Sequence, residues 1–110
     1  MKRWGNKVRE YGGIMEIKKR YNIYGLWWKV KIVKEIPSED PTKLTLGKVY
    51  SELLEIHIAR GNHDVMVYTL FHEFQEIIDW MNGFNMTHSK VCIIGSSWYQ
   101  IFKDNLEVTK

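Results

Sequence analysis

From residue 27 to 36 the chain alternates. Trp28, Val30 and Ile32 fall on one side of an extended strand, and Lys29, Lys31 and Val33 on the other. Residues 16–24, rich in aromatic and β-branched side chains, predict a strand before it, and Tyr24-Gly25 supplies the turn of a hairpin. The two prolines of residues 37–41 break any ladder and predict a loop. Lys48-Val49-Tyr50 forms a short third strand. Residues 53–59 alternate again, with Leu54, Ile56 and Ile58 opposite Glu55 and His57.

After Arg60-Gly61-Asn62 the period changes from two to 3.6. Asn62 is a suitable N-cap, and Asp64 suits a first helical turn. Val67, Leu70, Phe71, Phe74, Ile77, Ile78 and Met81 make one apolar stripe, and Asn82-Gly83 ends the helix in a left-handed cap. Thr87 caps a second helix with Val91, Ile94, Trp98, Ile101 and Phe102 on its inner face, and Gly95 is placed to let the two helices approach closely. The expected class is α+β: a small antiparallel sheet of three to four strands packed on two antiparallel helices. Residues 15–110 make a single domain. Residues 1–14, with Lys2, Arg3, Lys7 and Arg9 among Gly5, Gly12 and Gly13, lack periodicity and read as a flexible basic arm. Met15 is an alternative start.

Composition narrows the classes further. At 110 residues the chain suits one domain with a modest core. It holds no apolar run near the ~20 residues that a bilayer span needs, and no secretory leader, so a cytoplasmic protein without a membrane partner is expected. Its single cysteine, Cys92, excludes an internal disulfide and reads as a small buried apolar residue. The net charge of +3 permits nucleic-acid binding without arguing for it.

The candidate chemistry lies on the first helix, in Thr69-Leu70-Phe71-His72-Glu73-Phe74-Gln75-Glu76-Ile77-Ile78-Asp79. His72 and Glu76, four residues apart, share a helix face. The pattern His-Glu-x-x-Glu differs at one residue from the zinc-binding His-Glu-x-x-His, in which two His hold the ion and the Glu acts as general base. At about 100° per residue, with His72 at zero, Glu73 lies near 100°, Glu76 near 40° and Asp79 near 340°, while the apolar stripe centres near 200°. These four polar residues therefore share one face. Three readings follow: a variant metal site, a descendant whose metal site has weakened, or the wet side of an amphipathic helix. His88, at the start of the returning helix, stands where it can close a triad with His72 and Glu76; it is equally an ordinary first-turn residue. His57 and His63 are alternatives for the third ligand. Glu73 would be the base, and Asp79 a carboxylate orienting a ligand from behind it. Nitrogen and carboxylate ligands suit zinc, and a second anionic ligand relaxes the choice toward manganese or iron, or leaves the site without metal.

Residues 46–105 resemble the minimal zincin-like proteins of phages, prophages and mobile elements, distant relatives of SprT-like and ImmA/IrrE-type metallopeptidases. The resemblance rests on Leu46-Gly47-Lys48-Val49-Tyr50, Leu54-Glu55-Ile56-His57-Ile58, the His72 segment, Met86-Thr87-His88-Ser89-Lys90-Val91, and Trp98-Tyr99-Gln100-Ile101-Phe102-Lys103-Asp104-Asn105. It implies a peptidase-like hydrolase with His72 as first metal ligand and Glu73 as base. Glu76 takes the second-ligand position, where many relatives have His. The strand of Glu55, Ile56 and His57 would line the cleft and pair with extended peptide. A peptide or host protein is the implied partner, in the host cytoplasm if the protein is viral.

Two other functions compete. One is a non-catalytic module that binds a host protein through Trp27, Trp28, Trp80 and Trp98, although most of these suit a core. The other is nucleic-acid binding through Lys29, Lys31 and Lys34, with Lys18, Lys19 and Arg20.

Overall fold

A computed structural model describes residues 16–105; the proposed arm, residues 1–14, lies outside the described residues. Four strands, β1 (Arg20–Ile23), β2 (Leu26–Val33), β3 (Gly47–Tyr50) and β4 (Glu55–Ala59), precede two helices, α1 (His63–Asn82) and α2 (His88–Asn105). The fold is α+β, as the switch of period predicts.

The β1–β2 hairpin turns on Tyr24 and Gly25, both at positive φ (52° and 89°), as the tight two-residue turn that fits the strand twist requires. Asn22 Oδ1 accepts the Gly25 N–H at 2.9 Å. The sheet runs β1-β2-β4-β3. It is mixed, and not antiparallel throughout: β2 pairs parallel to β4, with Val30 opposite Ile56 and Ile32 opposite Ile58, while the two outer pairings are antiparallel. The reason lies in residues 34–46. That connection, anchored by buried Ile36, passes the place beside β2 and starts β3 at the far edge. β4 then returns into the gap and meets β2 in parallel.

Alternation directs Trp28, Val30, Ile56 and Ile58 to one face of the sheet, where they pack with Leu70 and Ile77 of α1. Each fully buried Leu or Ile contributes about 1.5–3 kcal/mol relative to exposure. Asn62 Oδ1 caps α1 by accepting the N–H groups of Asp64 (2.8 Å) and Val65 (3.3 Å). Gly83, at φ 66°, ends the helix in the left-handed conformation.

The second helix runs back along the first. Gly95 meets His72, Tyr99 packs edge-on to Tyr68, and Phe102 contacts Phe71. Its inner face is narrower than the pattern predicts, with only Val91 and Gly95 buried. Trp98, Ile101 and Phe102 are about half exposed, because α2 touches α1 and is separated from the sheet by it. The expectation that most of the tryptophans belong to the core is corrected too: Trp28 is fully buried, whereas Trp27 and Trp80 are exposed alongside Trp98.

Candidate metal centre

The seam between α1 and α2 gathers the polar residues of interest. His72 and Glu76, one turn apart, are joined by a 2.9 Å contact between Nε2 and Oε2. Across the seam His88 opens α2, its ring centroid 5.5 Å from that of His72. Cys92 follows one turn later, with Sγ 3.4 Å from His88 Nε2. One ligand atom each from His72, His88 and Cys92 lie within 4.8 Å of one another, and the same holds for His72, Glu73 and Glu76. Local sequence explains the meeting. The Thr87 hydroxyl caps α2 by accepting the Lys90 N–H at 3.3 Å, which fixes where the helix starts. The glycine at position 95 lets the backbones come close enough for side chains on both helices to share one space.

Asp79 has a partner in the interhelical loop. Its Oδ1 accepts the Met86 N–H at 2.9 Å, which ties that loop to α1. The fallback ligands are not in the seam. His57 points from the opposite face of β4 to buried Ile56 and Ile58, and pairs with Glu55 at 2.9 Å. His63 begins α1, nine residues or about 13 Å of helix before His72.

Glu73 departs most from the helical-wheel picture, which set it on the wet face. It is only 3% exposed. The edge strand β3 covers that flank: a β-carbon on Gly47 would fall 2.7 Å from Glu73 Oε2. Apolar periodicity located the contact with the sheet centre, but the second contact rests on a glycine and on Thr69, neither of which carries an apolar signal. Burial, reinforced by the charge of Glu76 and opposed by His72, pushes the Glu73 carboxyl up to about 8. The His72 imidazole is raised as well, chiefly by its hydrogen bond to Glu76 and with help from both carboxylates, against the effect of burial. Glu73 is therefore mostly protonated at neutral pH unless positive charge is placed beside it.

The strand expected to receive substrate is also reassigned. Glu55, Ile56 and His57 belong to β4, which is paired on both sides, by β2 and by β3. Its backbone groups are already committed, and among the described residues the open edges belong to β1 and β3. The basic residues lie away from the seam. Lys29 and Lys31 are exposed on β2, with Lys31 paired to Glu55 at 3.3 Å, and exposed Lys34 follows the strand. Lys18, Lys19, Arg20 and Trp27 line a shallow groove of about 390 Å³ at the β1 edge, where the Arg20 guanidinium lies 4.4 Å over the Trp27 ring.

Sequence reasoning missed Cys92, which it assigned to the core. The usable signal was its spacing: His88 and Cys92 repeat the i, i+4 interval of His72 and Glu76. Among the described residues, no helix is long and apolar enough to cross a membrane. Comparison with protein-family models, with curated proteins and with solved structures found no match.

Proposed function

We propose that this chain is a metal-dependent, peptidase-like hydrolase whose ion sits in the α1–α2 seam. One observation carries the reading: His72 is the shared member of two clusters whose ligand atoms lie within 4.8 Å of one another, one with Glu73 and Glu76 on α1 and one with His88 and Cys92 across the seam on α2. The donors fit the group, since imidazole and carboxylate are the side chains that hold zinc in hydrolytic sites and also accept manganese or iron. A bound ion would supply Lewis acidity and a water of lowered pKa.

The chain's own residues do the rest. Glu73 takes the proton of the attacking water at a carboxylate oxygen and passes it to the leaving amine. Glu76 holds His72 in place and supplies negative charge. The edge of β3, unpaired among the described residues and crossing Glu73 at Gly47, offers backbone groups to an extended peptide, so the substrate class is a peptide or an unfolded segment of protein.

The test combines metal analysis with hydrolysis of a mixed peptide library. Wild type should purify with a divalent transition metal and cleave peptides. Glu73→Gln should keep the metal and lose at least about a hundredfold in rate, the scale of general base catalysis. His72→Ala should lose both. Protein with no affinity for zinc, manganese or iron would end the reading.

A further inference from the structure

We propose that Cys92 is a thiolate ligand of the seam, so that His72, His88 and Cys92 hold the ion and Glu76 acts as the carboxylate partner of His72. The class of cofactor is then a thiophilic divalent ion, zinc first. The inference rests on the reading that the seam binds metal, and it changes which residues do so.

The His88–Cys92 distance suits this set. Zinc–nitrogen bonds of about 2.0–2.1 Å and a zinc–sulfur bond of about 2.3 Å, opened to the tetrahedral angle, place the two donor atoms about 3.6 Å apart. His88 Nε2 and Cys92 Sγ stand 3.4 Å apart. A nitrogen and a carboxylate oxygen on one tetrahedral zinc would be about 3.4 Å apart by the same arithmetic. His72 Nε2 and Glu76 Oε2 are closer, at the 2.9 Å of a direct hydrogen bond. With Nε2 given to Glu76, the other ring nitrogen of His72 is the one left for an ion. Carboxylate–histidine pairs of this kind fix the tautomer and raise the basicity of a ligating imidazole.

An i, i+4 His–Cys contact on one helix occurs without any metal. Here the third donor comes from a different helix. His72 is largely buried, with its side chain 15% exposed, and it reaches to within 4.8 Å of both partners because Gly95 brings the backbones together. His88 is exposed and Cys92 only partly covered, so one side of the cluster opens to solvent. Three protein ligands with an open side leave a fourth position for water or substrate. A thiolate in the set selects zinc or cobalt over magnesium and manganese, which the His72–Glu76–His88 set would not. It also makes metal loading sensitive to thiol oxidation, since sulfur must be the reduced thiolate to ligate.

Cobalt(II) titration of the chelator-stripped full chain is the test, because a cobalt–thiolate bond has its own near-ultraviolet charge-transfer band. Wild type should bind one equivalent with that band, and zinc should displace it. Cys92→Ser should abolish the band and weaken binding at least about tenfold, whereas Glu76→Gln should keep the band with about 10–100-fold weaker binding. A second measurement needs no variant. Cys92 is the only cysteine, so bound zinc should protect the whole thiol content from alkylation. Cobalt bound without the band, or a thiol that alkylates freely in zinc-saturated protein, overturns the ligand assignment while leaving the seam as a metal site. Absence of any cobalt or zinc binding overturns both.

Discussion

Gly95 on α2 lies against the backbone of His72 on α1, so that a β-carbon at position 95 would fall 3.0 Å from His72 Cα. The obstacle is main chain, which does not swing aside as a side chain does. A close approach of the two helices therefore coincides with the residue at the centre of the candidate site.

Gly95→Ala should show this coupling. Alanine gains up to about 1 kcal/mol in helix propensity, but the crowding costs about 1–3 kcal/mol, so the net effect is destabilising. Gly95→Val should be worse. Both should weaken zinc binding by more than their loss of stability at a remote site would, because the seam widens where the proposed ligands meet. Urea melts with and without zinc check it; equal zinc stabilisation in wild type and Gly95→Ala would refute the coupling.

A second glycine packs against Glu73, the proposed base. A β-carbon on Gly47 would come within 2.5 Å of Thr69 Cγ2 and 2.7 Å of Glu73 Oε2. Gly47→Ala should cost about 1–3 kcal/mol of stability and reduce hydrolysis, as Glu73 is displaced. Thr69→Ser removes the nearer obstacle, Cγ2, while keeping the hydroxyl that donates to Val65 O at 2.7 Å. The double variant should recover part of the loss in urea melts; strict additivity would place the strain elsewhere.

Metal-free protein should lose stability as pH rises from about 4.5 toward 8. The folded state raises the Glu73 carboxyl to about 8 from an ordinary 4.5, so between those values the native chain binds a proton that the unfolded chain has released. The contribution is complete below about 4.5 and gone above about 8, with a slope of at most about 1.4 kcal/mol per pH unit. His72 has the same sign: its pKa is raised, so its share is complete below 6.5 and fades as pH climbs through the raised value. Glu73→Gln should flatten the profile to the His72 portion alone and raise stability at pH 8. Thermal melts in chelator from pH 5 to 9 measure it.

The legible parts of this molecule were those in which period and capping agree. Asn62, Gly83 and Thr87 cap as their residue types predict, and the alternation at Trp28, Val30, Ile56 and Ile58 gives the core face of the sheet. Strand order was not legible, because nothing in residues 34–46 says that the chain skips the place beside β2. Gly95 announced the helix approach, since a glycine inside an amphipathic helix needs a packing reason. Gly47 and Thr69 announced nothing, and the burial of Glu73 beneath them was missed. His72, Glu76 and His88 were visible as spacing, while Cys92 was hidden behind the ordinary preference of a lone cysteine for the core.

The interhelical loop offers the last prediction, because it separates a structural acceptor from a metal-site carboxylate. Asp79 Oδ1 receives the Met86 N–H at 2.9 Å, and two residues later His88 starts α2. Asp79→Ala removes the acceptor and leaves the Met86 amide to water. Hydrogen bonds to charged groups contribute about 1.5–3 kcal/mol, so stability should fall by about that much. The position of His88 should loosen with it, and zinc affinity should drop. Asp79→Asn keeps an acceptor oxygen without the charge, and should retain most of the stability and nearly all of the affinity. A carboxylate acting on a metal ligand through its charge would behave otherwise, with Asp79→Asn losing as much zinc affinity as Asp79→Ala. Chelator competition for zinc, run beside urea melts of both variants, distinguishes the two roles.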